Sequence, residues 1–155
     1  MKEQSVIAIG KKIRDFTLKD QGNNDIHLSD YKGGKILLSF HPLAWTSICA
    51  AQMQSLEKNF KLFEKYNTVA LGISVDSAPC KMAWAKSLKI KNTRLLCDFW
   101  PHGHFAKTLG LFREHNGFSE RANVVLDEKD RVLFVRVYPI KELPVMDEIL
   151  KVIKG

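Results

Sequence analysis

The stretch that decides the fold is ILLSFHPLAWTSIC, from Ile36 to Cys49. It begins as a short apolar run typical of a buried strand, and it leads into apolar residues at helical spacing between positions 53 and 63. This junction places Cys49 in the first turn of a helix. Unpaired backbone N–H groups and the positive end of the helix dipole favour thiolate over thiol at that position. The pattern therefore predicts a reactive sulfur rather than a structural one.

The rest of the chain alternates strands with helices. The predicted strands lie at 16–20, 26–28, 36–40, 69–75, 94–96, 122–126 and 132–137. The predicted helices lie at about 47–66, from 77 onward, near 104–109 and at about 144–153. Turn residues at 22–25 and 127–130 make the first and last strand pairs hairpins. The order predicts one α/β domain over residues 1–155: a sandwich with a central mixed sheet, flanking helices and an N-terminal β-hairpin.

Two cysteines are expected at one edge of this sheet. Right-handed crossovers bring successive helix N-termini to the edge beyond the strands' C-terminal ends. Cys80 follows Asp76-Ser77-Ala78-Pro79, which opens a helix with a capping residue and a first-turn proline. We therefore expect Cys80 to lie near Cys49, and its own helix terminus to favour its thiolate.

Composition excludes several classes of function. The net charge of the 155-residue chain is +7, but the basic residues are scattered and give no nucleic-acid footprint. The N-terminus lacks the apolar core of a signal peptide, and no segment is apolar over the length of a membrane span. We expect a cytoplasmic protein without nucleic-acid or membrane partners. In a reducing compartment, three cysteines do not predict a structural disulfide framework.

The chain resembles the peroxiredoxins, thiol peroxidases of the alkyl hydroperoxide reductase/thiol-specific antioxidant family with a thioredoxin-like fold. The likeness rests on four segments in the family's order: Leu28–Gly33, the pattern Pro42-x-x-x-Thr46-x-x-Cys49, Ser74–Ser77 with Ala83-Trp84, and Arg121 just before Asn123–Asp127. Together they are specific, whereas a lone Thr-x-x-Cys is not.

The resemblance implies the roles of the site residues. Cys49 is the peroxidatic cysteine, Thr46 and Arg121 position and stabilise the reacting oxygens, and Pro42 walls the pocket and shields the sulfur from water. Such chemistry suits these residue types, because an attacking thiolate and a departing oxygen both need positioned donors. Taken alone, Thr46 is more often a helix N-cap, and Arg121 more often pairs with a surface carboxylate such as Glu120 or Asp127.

The resemblance also implies the partners. The substrates are hydrogen peroxide and organic hydroperoxides, the electrons come from a thioredoxin- or glutaredoxin-like protein, and no metal, haem or flavin is needed. A homodimer is expected near the active-site helices, with contact candidates that each also suit a core: Trp45, Trp84 and Trp100. One departure is Gln52, where the family commonly carries a glutamate that helps to orient the arginine. Gln52 accepts hydrogen bonds but carries no charge.

The fate of the oxidised sulfur is left open by the sequence. Cys80 is the leading resolving thiol, but a disulfide needs Cα atoms within about 7 Å, and relatives that resolve elsewhere also carry a cysteine at this place. The chain lacks a cysteine five residues after Cys49 and a cysteine-bearing C-terminal extension. A one-cysteine cycle completed by an external thiol is the alternative.

Other readings are less favoured. A non-catalytic redox-sensing or interaction domain would have a slowly oxidised Cys49 and no arginine in the pocket. A disulfide oxidoreductase lacks its Cys-x-x-Cys pair. Cys97 is expected in the core because it follows two leucines in a strand. With His102 and His104 it forms only a weak metal-binding pattern. His41 is expected to be structural or to line the pocket entrance.

Overall fold

The computed structural model describes residues 5–155 and contains two β-sheets with helices packed around the larger one. The strands are β1 (Thr17–Lys19), β2 (Asp25–His27), β3 (Lys35–Phe40), β4 (Thr68–Ser74), β5 (Arg94–Cys97), β6 (Phe112–Arg113), β7 (Phe118–Ser119), β8 (Arg121–Leu126) and β9 (Val132–Tyr138). The helices are α1 (Ser47–Lys58), α2 (Phe60–Lys65), α3 (Ala78–Leu88), α4 (His104–Thr108) and α5 (Met146–Lys154), with a 3-10 turn at Leu28–Tyr31.

The main sheet has the order β2-β1-β5-β4-β3-β8-β9, and β6 pairs with β7 in a small separate hairpin. Strands β3, β4 and β5 are parallel, whereas β1, β2, β8 and β9 join antiparallel. This is the mixed sheet and N-terminal hairpin that the sequence predicts. Because the crossovers from β3 to β4 and from β4 to β5 step in one direction, right-handedness puts α1 and α3 on the same face. Their N-termini share the edge beyond the ends of β3 and β4.

The sheet separates two apolar cores. On one face Leu37 and Val125 pack with residues of α1, α2, α3 and α5, and on the other Ile36 and Leu38 pack around α4 and the N-terminal segment. The alternation along β3 follows from the two-residue period of a strand. Gly72 in β4 lets α1 come close, since a Cβ there would lie 2.3 Å from the sulfur of Met53. The helix that carries Cys49 is thus seated directly on the sheet.

Two expectations about the elements need correction. The single helix predicted over 47–66 is wrong: it breaks at Asn59 into α1 and α2. There the Asn59 side chain donates to the carbonyl of Ser55 at 2.8 Å, and this local bond competes with the helical pattern. The β6–β7 hairpin was not predicted, because its two-residue strands are too short to show a period. Within residues 5–155, the structure contains no helix with the length and apolarity needed to span a membrane.

Candidate active site

Cys49 is the third residue of α1 and is 1% exposed. The first bond of the helix runs from the N–H of Ala50 to the carbonyl of Thr46 at 2.9 Å. The N–H groups of residues 47–49 precede that bond and have no intrahelical acceptor. Cys49 is therefore buried in the first turn of a helix, which is the position that the sequence predicts.

Arg121 brings a positive charge to Cys49 from the first residue of β8. Its Nη1 donates to Cys49 Sγ at 3.4 Å and to Gln52 Oε1 at 2.8 Å, and its Nε donates to the carbonyl of Ile140 at 2.9 Å. The guanidinium is buried and is held from two sides. Pairing with a surface carboxylate is not what the structure shows, since Glu120 binds Arg113 at 2.8 Å. The arrangement is a fixed fork of donors beside a thiol.

Thr46 and Pro42 lie in the loop between β3 and α1 that precedes Cys49. Thr46 is exposed and occupies the N-cap of α1, but its side chain makes no capping bond. Its hydroxyl instead donates to the carbonyl of Leu43 at 2.7 Å. That contact uses the only hydroxyl proton and leaves the oxygen lone pairs for an incoming donor. Pro42 is buried and presents no N–H group.

Gln52 connects Arg121 to a buried polar network. Its Nε2 donates to Ser39 Oγ at 2.8 Å and to the carbonyl of Phe40 at 3.1 Å. Ser39 in turn donates to Asn123 Oδ1 at 2.8 Å. Sequence reasoning missed this network, although a serine inside the apolar run of β3 was a signal that could have found it.

Cys80 is the third residue of α3, and its surroundings differ from those of Cys49. Its Sγ lies 3.8 Å from Asp76 Oδ1, while Asp76 Oδ2 accepts the N–H of Ala44 at 2.8 Å. Burial is the largest cause that raises the pKa of the Cys80 thiol, and the Asp76 carboxylate is the second. Contact with Trp45 lowers this pKa and opposes both. The expectation that the helix terminus favours the Cys80 thiolate is therefore wrong. The contacts through Asp76 and Trp45 do connect Cys80 to the loop that precedes Cys49.

A buried lysine–histidine pair lies behind the site. Lys81 and His41 are both 0% exposed, and Lys81 Nζ lies 2.7 Å from His41 Nε2. Burial lowers the pKa of Lys81 to about 8 against the attraction of Asp76 and the three thiols. Burial and the Lys81 charge hold the pKa of His41 well below its ordinary value. His41 is thus structural and does not line the pocket entrance. No sequence pattern pairs these two residues, which lie 40 positions apart.

Cys97 is a core residue, as predicted. It is 6% exposed, and burial raises the pKa of its thiol to about 11. His102 is held elsewhere, with its Nε2 2.6 Å from the carbonyl of Gly117. Among residues 5–155, no three His, Cys, Asp or Glu side chains are grouped to hold a metal ion.

The three tryptophans divide between core and surface. Trp84 is 1% exposed and packs in the core beside His41. Trp45 and Trp100 are 57% and 81% exposed. Both follow strands of the parallel set, so they lie toward the edge that carries Cys49. Trp84 is therefore removed from the set of contact candidates.

Comparisons with known proteins agree on one family. The model of the AhpC/TSA family matches residues 9–135. Alkyl hydroperoxide reductase E of Mycobacterium tuberculosis is 35% identical over 133 residues, which cover 85% of this chain and 86% of the relative. Peroxiredoxin 2 of Sulfurisphaera tokodaii is 32% identical over 162 residues, covering all of this chain and 75% of the relative.

A solved structure gives the same result for the fold. The reduced 2-Cys peroxiredoxin of Plasmodium vivax superposes with a TM-score of 0.84 at 28% identity, over 94% of this chain and 80% of that one.

Proposed function

This chain belongs to the AhpC/TSA family and is a thiol-dependent peroxidase, and from that premise we propose that Cys49 is the sulfur that attacks the peroxide. The observation that carries the proposal is the contact between Arg121 Nη1 and Cys49 Sγ at 3.4 Å, which joins two buried side chains at a helix N-terminus. The substrates are hydrogen peroxide and organic hydroperoxides.

The first step transfers one oxygen atom. The Cys49 thiolate attacks the terminal oxygen of ROOH, the O–O bond breaks, and the leaving RO⁻ takes a proton to become ROH. Sulfur is oxidised to the sulfenic acid as the peroxide is reduced. Negative charge passes from sulfur to the leaving oxygen along this path, so donors that reach both atoms stabilise the transition state.

The residues of the site divide this task. Arg121 supplies a permanent charge beside the sulfur, and backbone N–H groups at the start of α1 supply further donors. Thr46 accepts a hydrogen bond from the O–H of the incoming peroxide through the lone pairs that its bond to Leu43 leaves free. Pro42 closes the pocket without adding a competing donor.

A stopped-flow measurement of peroxide consumption tests the assignment. The Cys49→Ser variant is expected to lose the fast reaction, whereas Cys97→Ser, which removes another buried thiol, keeps it. Unchanged consumption by Cys49→Ser would make the assignment wrong.

For the second step we propose Cys80 as the resolving thiol. The sulfenic acid of Cys49 condenses with the Cys80 thiol, an S–S bond forms, and water leaves. The shared sheet edge and the bridge from Asp76 to Ala44 support this role. The raised pKa of Cys80 supports the competing route, in which an external thiol resolves Cys49.

Non-reducing peptide mapping after one equivalent of peroxide separates the two routes. A peptide pair joined through Cys49 and Cys80 is the expected product. A persistent sulfenic acid with Cys80 free would instead establish the one-cysteine cycle. In either route a thioredoxin- or glutaredoxin-like dithiol returns two electrons, and the reducing cytoplasm is the compartment that fits such a cycle.

We also propose a homodimer formed near the active-site edge. Three aromatic side chains in the loops that follow β3 and β5, Trp45, Phe99 and Trp100, have exposed fractions of 57%, 52% and 81%. Large apolar side chains exposed together mark interaction sites. Sedimentation velocity of wild type and Trp100→Ala tests this, with the variant shifted toward monomer. A wild type that stays monomeric at all concentrations would contradict the dimer.

A redox-sensing domain without catalysis is the alternative from another class. This alternative predicts a site without Arg121, whereas Arg121 contacts the sulfur of Cys49. The stopped-flow rate also separates the two, because a sensor reacts slowly with peroxide.

A further inference from the structure

The Cys49 pocket is connected to the last helix by an unbroken series of hydrogen bonds. The series begins at Arg121 and passes through Gln52, Ser39, Asn123 and Tyr138 to Glu148 of α5. Its members come from α1, β3, β8, β9 and α5. We name it the Arg121–Glu148 chain.

Strand register explains why these side chains meet. Ser39 of β3 is paired with Asn123 of β8, and Arg121 of β8 is paired with Tyr138 of β9. Residues two apart in a strand share a face, so Arg121 and Asn123 point to the same side of the sheet. This side also packs against α1 and α5.

Every bond in the chain donates in the same direction, away from the active site. Arg121 Nη1 donates to Gln52 Oε1 at 2.8 Å, and Gln52 Nε2 donates to Ser39 Oγ at 2.8 Å. Ser39 donates to Asn123 Oδ1 at 2.8 Å. Asn123 Nδ2 then donates to Tyr138 Oη at 3.4 Å, and the Tyr138 hydroxyl donates to Glu148 Oε1.

An ionised carboxylate only accepts hydrogen bonds, so it determines the direction of the series that ends on it. Glu148 makes the Tyr138 hydroxyl donate, and this leaves the Tyr138 oxygen to accept from the amide of Asn123. The Asn123 oxygen then accepts from Ser39, and the Ser39 oxygen accepts from Gln52. Gln52 consequently turns its oxygen, and not its amide NH₂, toward Arg121. The bond from Gln52 to the Phe40 carbonyl, 3.1 Å long, supports the same orientation locally.

Two side chains of β9 bind the carboxylate at the far end of the chain, Glu148. Arg136 of β9 binds Glu148 Oε2 at 2.6 Å, and Tyr138 of β9 binds Oε1. Asp147 and Lys151 are the nearest charged residues along α5 itself. At the other end, Arg121 faces the Cys49 thiol of α1, and it also disfavours a charged His41 at the end of β3. Among these groups, Glu148 is the carboxylate that the chain reaches.

We propose that Glu148 is a positioning residue for the peroxide reaction, which acts through the Arg121–Glu148 chain to orient Arg121 toward Cys49. Through this chain, Glu148 fixes the acceptor that faces Arg121, whereas a carboxylate at position 52 would itself be that acceptor. The proposal rests on the proposed role of Cys49. It also accounts for the burial of two amides and two hydroxyls in an otherwise apolar core, since such groups are costly unless every member of the network is satisfied.

The test is a set of rate measurements with Glu148→Gln in two backgrounds. Stopped-flow rates with hydrogen peroxide are measured from pH 5 to 9 for wild type, Glu148→Gln, Gln52→Glu and the double variant. In the wild-type background, Glu148→Gln is expected to slow the reaction about three- to tenfold, the usual size of coupling within one hydrogen-bond network, and to move the midpoint of the pH–rate profile upward. In the Gln52→Glu background the same substitution has little effect, because the carboxylate at 52 holds Arg121 directly.

Matched variants separate positioning from stability. Asp147→Asn removes the neighbouring exposed carboxylate of α5 and leaves the chain intact, so its rate and pH profile should match wild type. Tyr138→Phe interrupts the chain without a change of charge, and its loss should not add to that of Glu148→Gln. Urea unfolding of each variant shows whether a slower rate merely follows from a less stable fold.

The possible failures are distinguishable. A Glu148→Gln variant as fast as wild type, or equally slowed in both backgrounds, overturns this proposal while the role of Cys49 stands. If Cys49→Ser consumes peroxide as fast as wild type, the proposed function itself is wrong.

Discussion

Cys49 and Cys80 occupy the same position in two neighbouring helices, yet their surroundings differ. Each is the third residue of its helix, α1 or α3, at one edge of the sheet. Cys49 has Arg121 at 3.4 Å, whereas Cys80 has the Asp76 carboxylate at 3.8 Å. The cap hydroxyl of Ser77 also accepts the N–H of Cys80, at 3.4 Å, and the hydroxyl of Thr46 makes no such bond. Two cysteines at the same helix position therefore have neighbours of opposite charge, and helix position alone does not determine the electrostatic surroundings of a thiol.

Removing the positive charge beside Cys49 should give the largest change, a loss of peroxide reaction rate. Arg121→Gln is expected to slow the peroxide reaction about 100-fold, the usual cost of losing one positioned donor at a transition state. Stopped-flow kinetics measures this loss. The matched control is Arg113→Gln, which removes an arginine bound to Glu120 and should keep a near wild-type rate. Equal rates for the two variants would contradict the role of Arg121.

Removing the Asp76 carboxylate beside Cys80 should make the Cys80 thiol more reactive. Asp76 raises the pKa of Cys80, so Asp76→Asn lowers it and increases the thiolate fraction at neutral pH. Alkylation of Cys80 by iodoacetamide, followed by mass spectrometry in a Cys49→Ser background, should speed up by as much as about tenfold, the effect of one pKa unit. Asp147→Asn serves as the control for charge alone. Slower alkylation in Asp76→Asn would show that the carboxylate does not suppress the thiolate.

Lys81 interacts with both thiols and should make stability depend on pH. Its folded-state pKa of about 8 lies below its ordinary value of 10.5, so the unfolded chain binds more protons between these values and stability rises with pH. From pH 8 to 9 the free energy of unfolding should rise by about 1 kcal/mol. The raised pKa of Cys97 opposes this trend weakly between pH 8 and 9 and fully between pH 9 and 11, where the folded chain holds a proton that the unfolded chain has lost.

Urea unfolding at pH 8 and pH 9 measures this rise. The Lys81→Met variant should lose it. A wild-type stability that is flat or falling over this interval would contradict the assignment, as would an equal rise in Lys81→Met.

The smallest expected effect concerns the Thr46 hydroxyl at the start of α1. Thr46→Val keeps the shape of the side chain but removes the acceptor, and should slow the peroxide reaction about three- to tenfold, the worth of one hydrogen bond. Thr46→Ser restores the oxygen and should recover most of the rate. Single-turnover kinetics compares the two, and a Thr46→Ser rate as low as that of Thr46→Val would argue against the hydroxyl.

The comparison also shows what sequence could predict. The apolar run of β3 and the helical spacing after it are local signals, so the fold and the positions of both cysteines followed from them. Arg121 lies 72 residues from Cys49 and was found through the family resemblance rather than by any local pattern. The charge beside Cys80 comes from the Asp76 side chain, which lies at the N-terminus of α3. The position of Cys80 in the helix does not specify where that side chain lies.

The burial of Lys81 and the Arg121–Glu148 chain also depend on contacts between distant residues, so local sequence patterns did not predict them. Lys81 reads as one more residue of an amphipathic helix, and only the packing of α3 against the end of β3 buries it on His41. The Arg121–Glu148 chain depends on the register of three strands and on two helices. Of that chain, Arg121 and Gln52 stood out through the family resemblance, and Ser39 stood out as a hydroxyl within an apolar strand.

Locating the first oxidised sulfur tests the central claim most directly. The Cys80→Ser variant is treated with one equivalent of hydrogen peroxide in the presence of dimedone, which traps sulfenic acids, and the label is mapped by mass spectrometry. The predicted result is a label on Cys49 alone, formed in one fast phase. A label on Cys97, or a Cys49 that stays unlabelled while peroxide is consumed, would contradict the account.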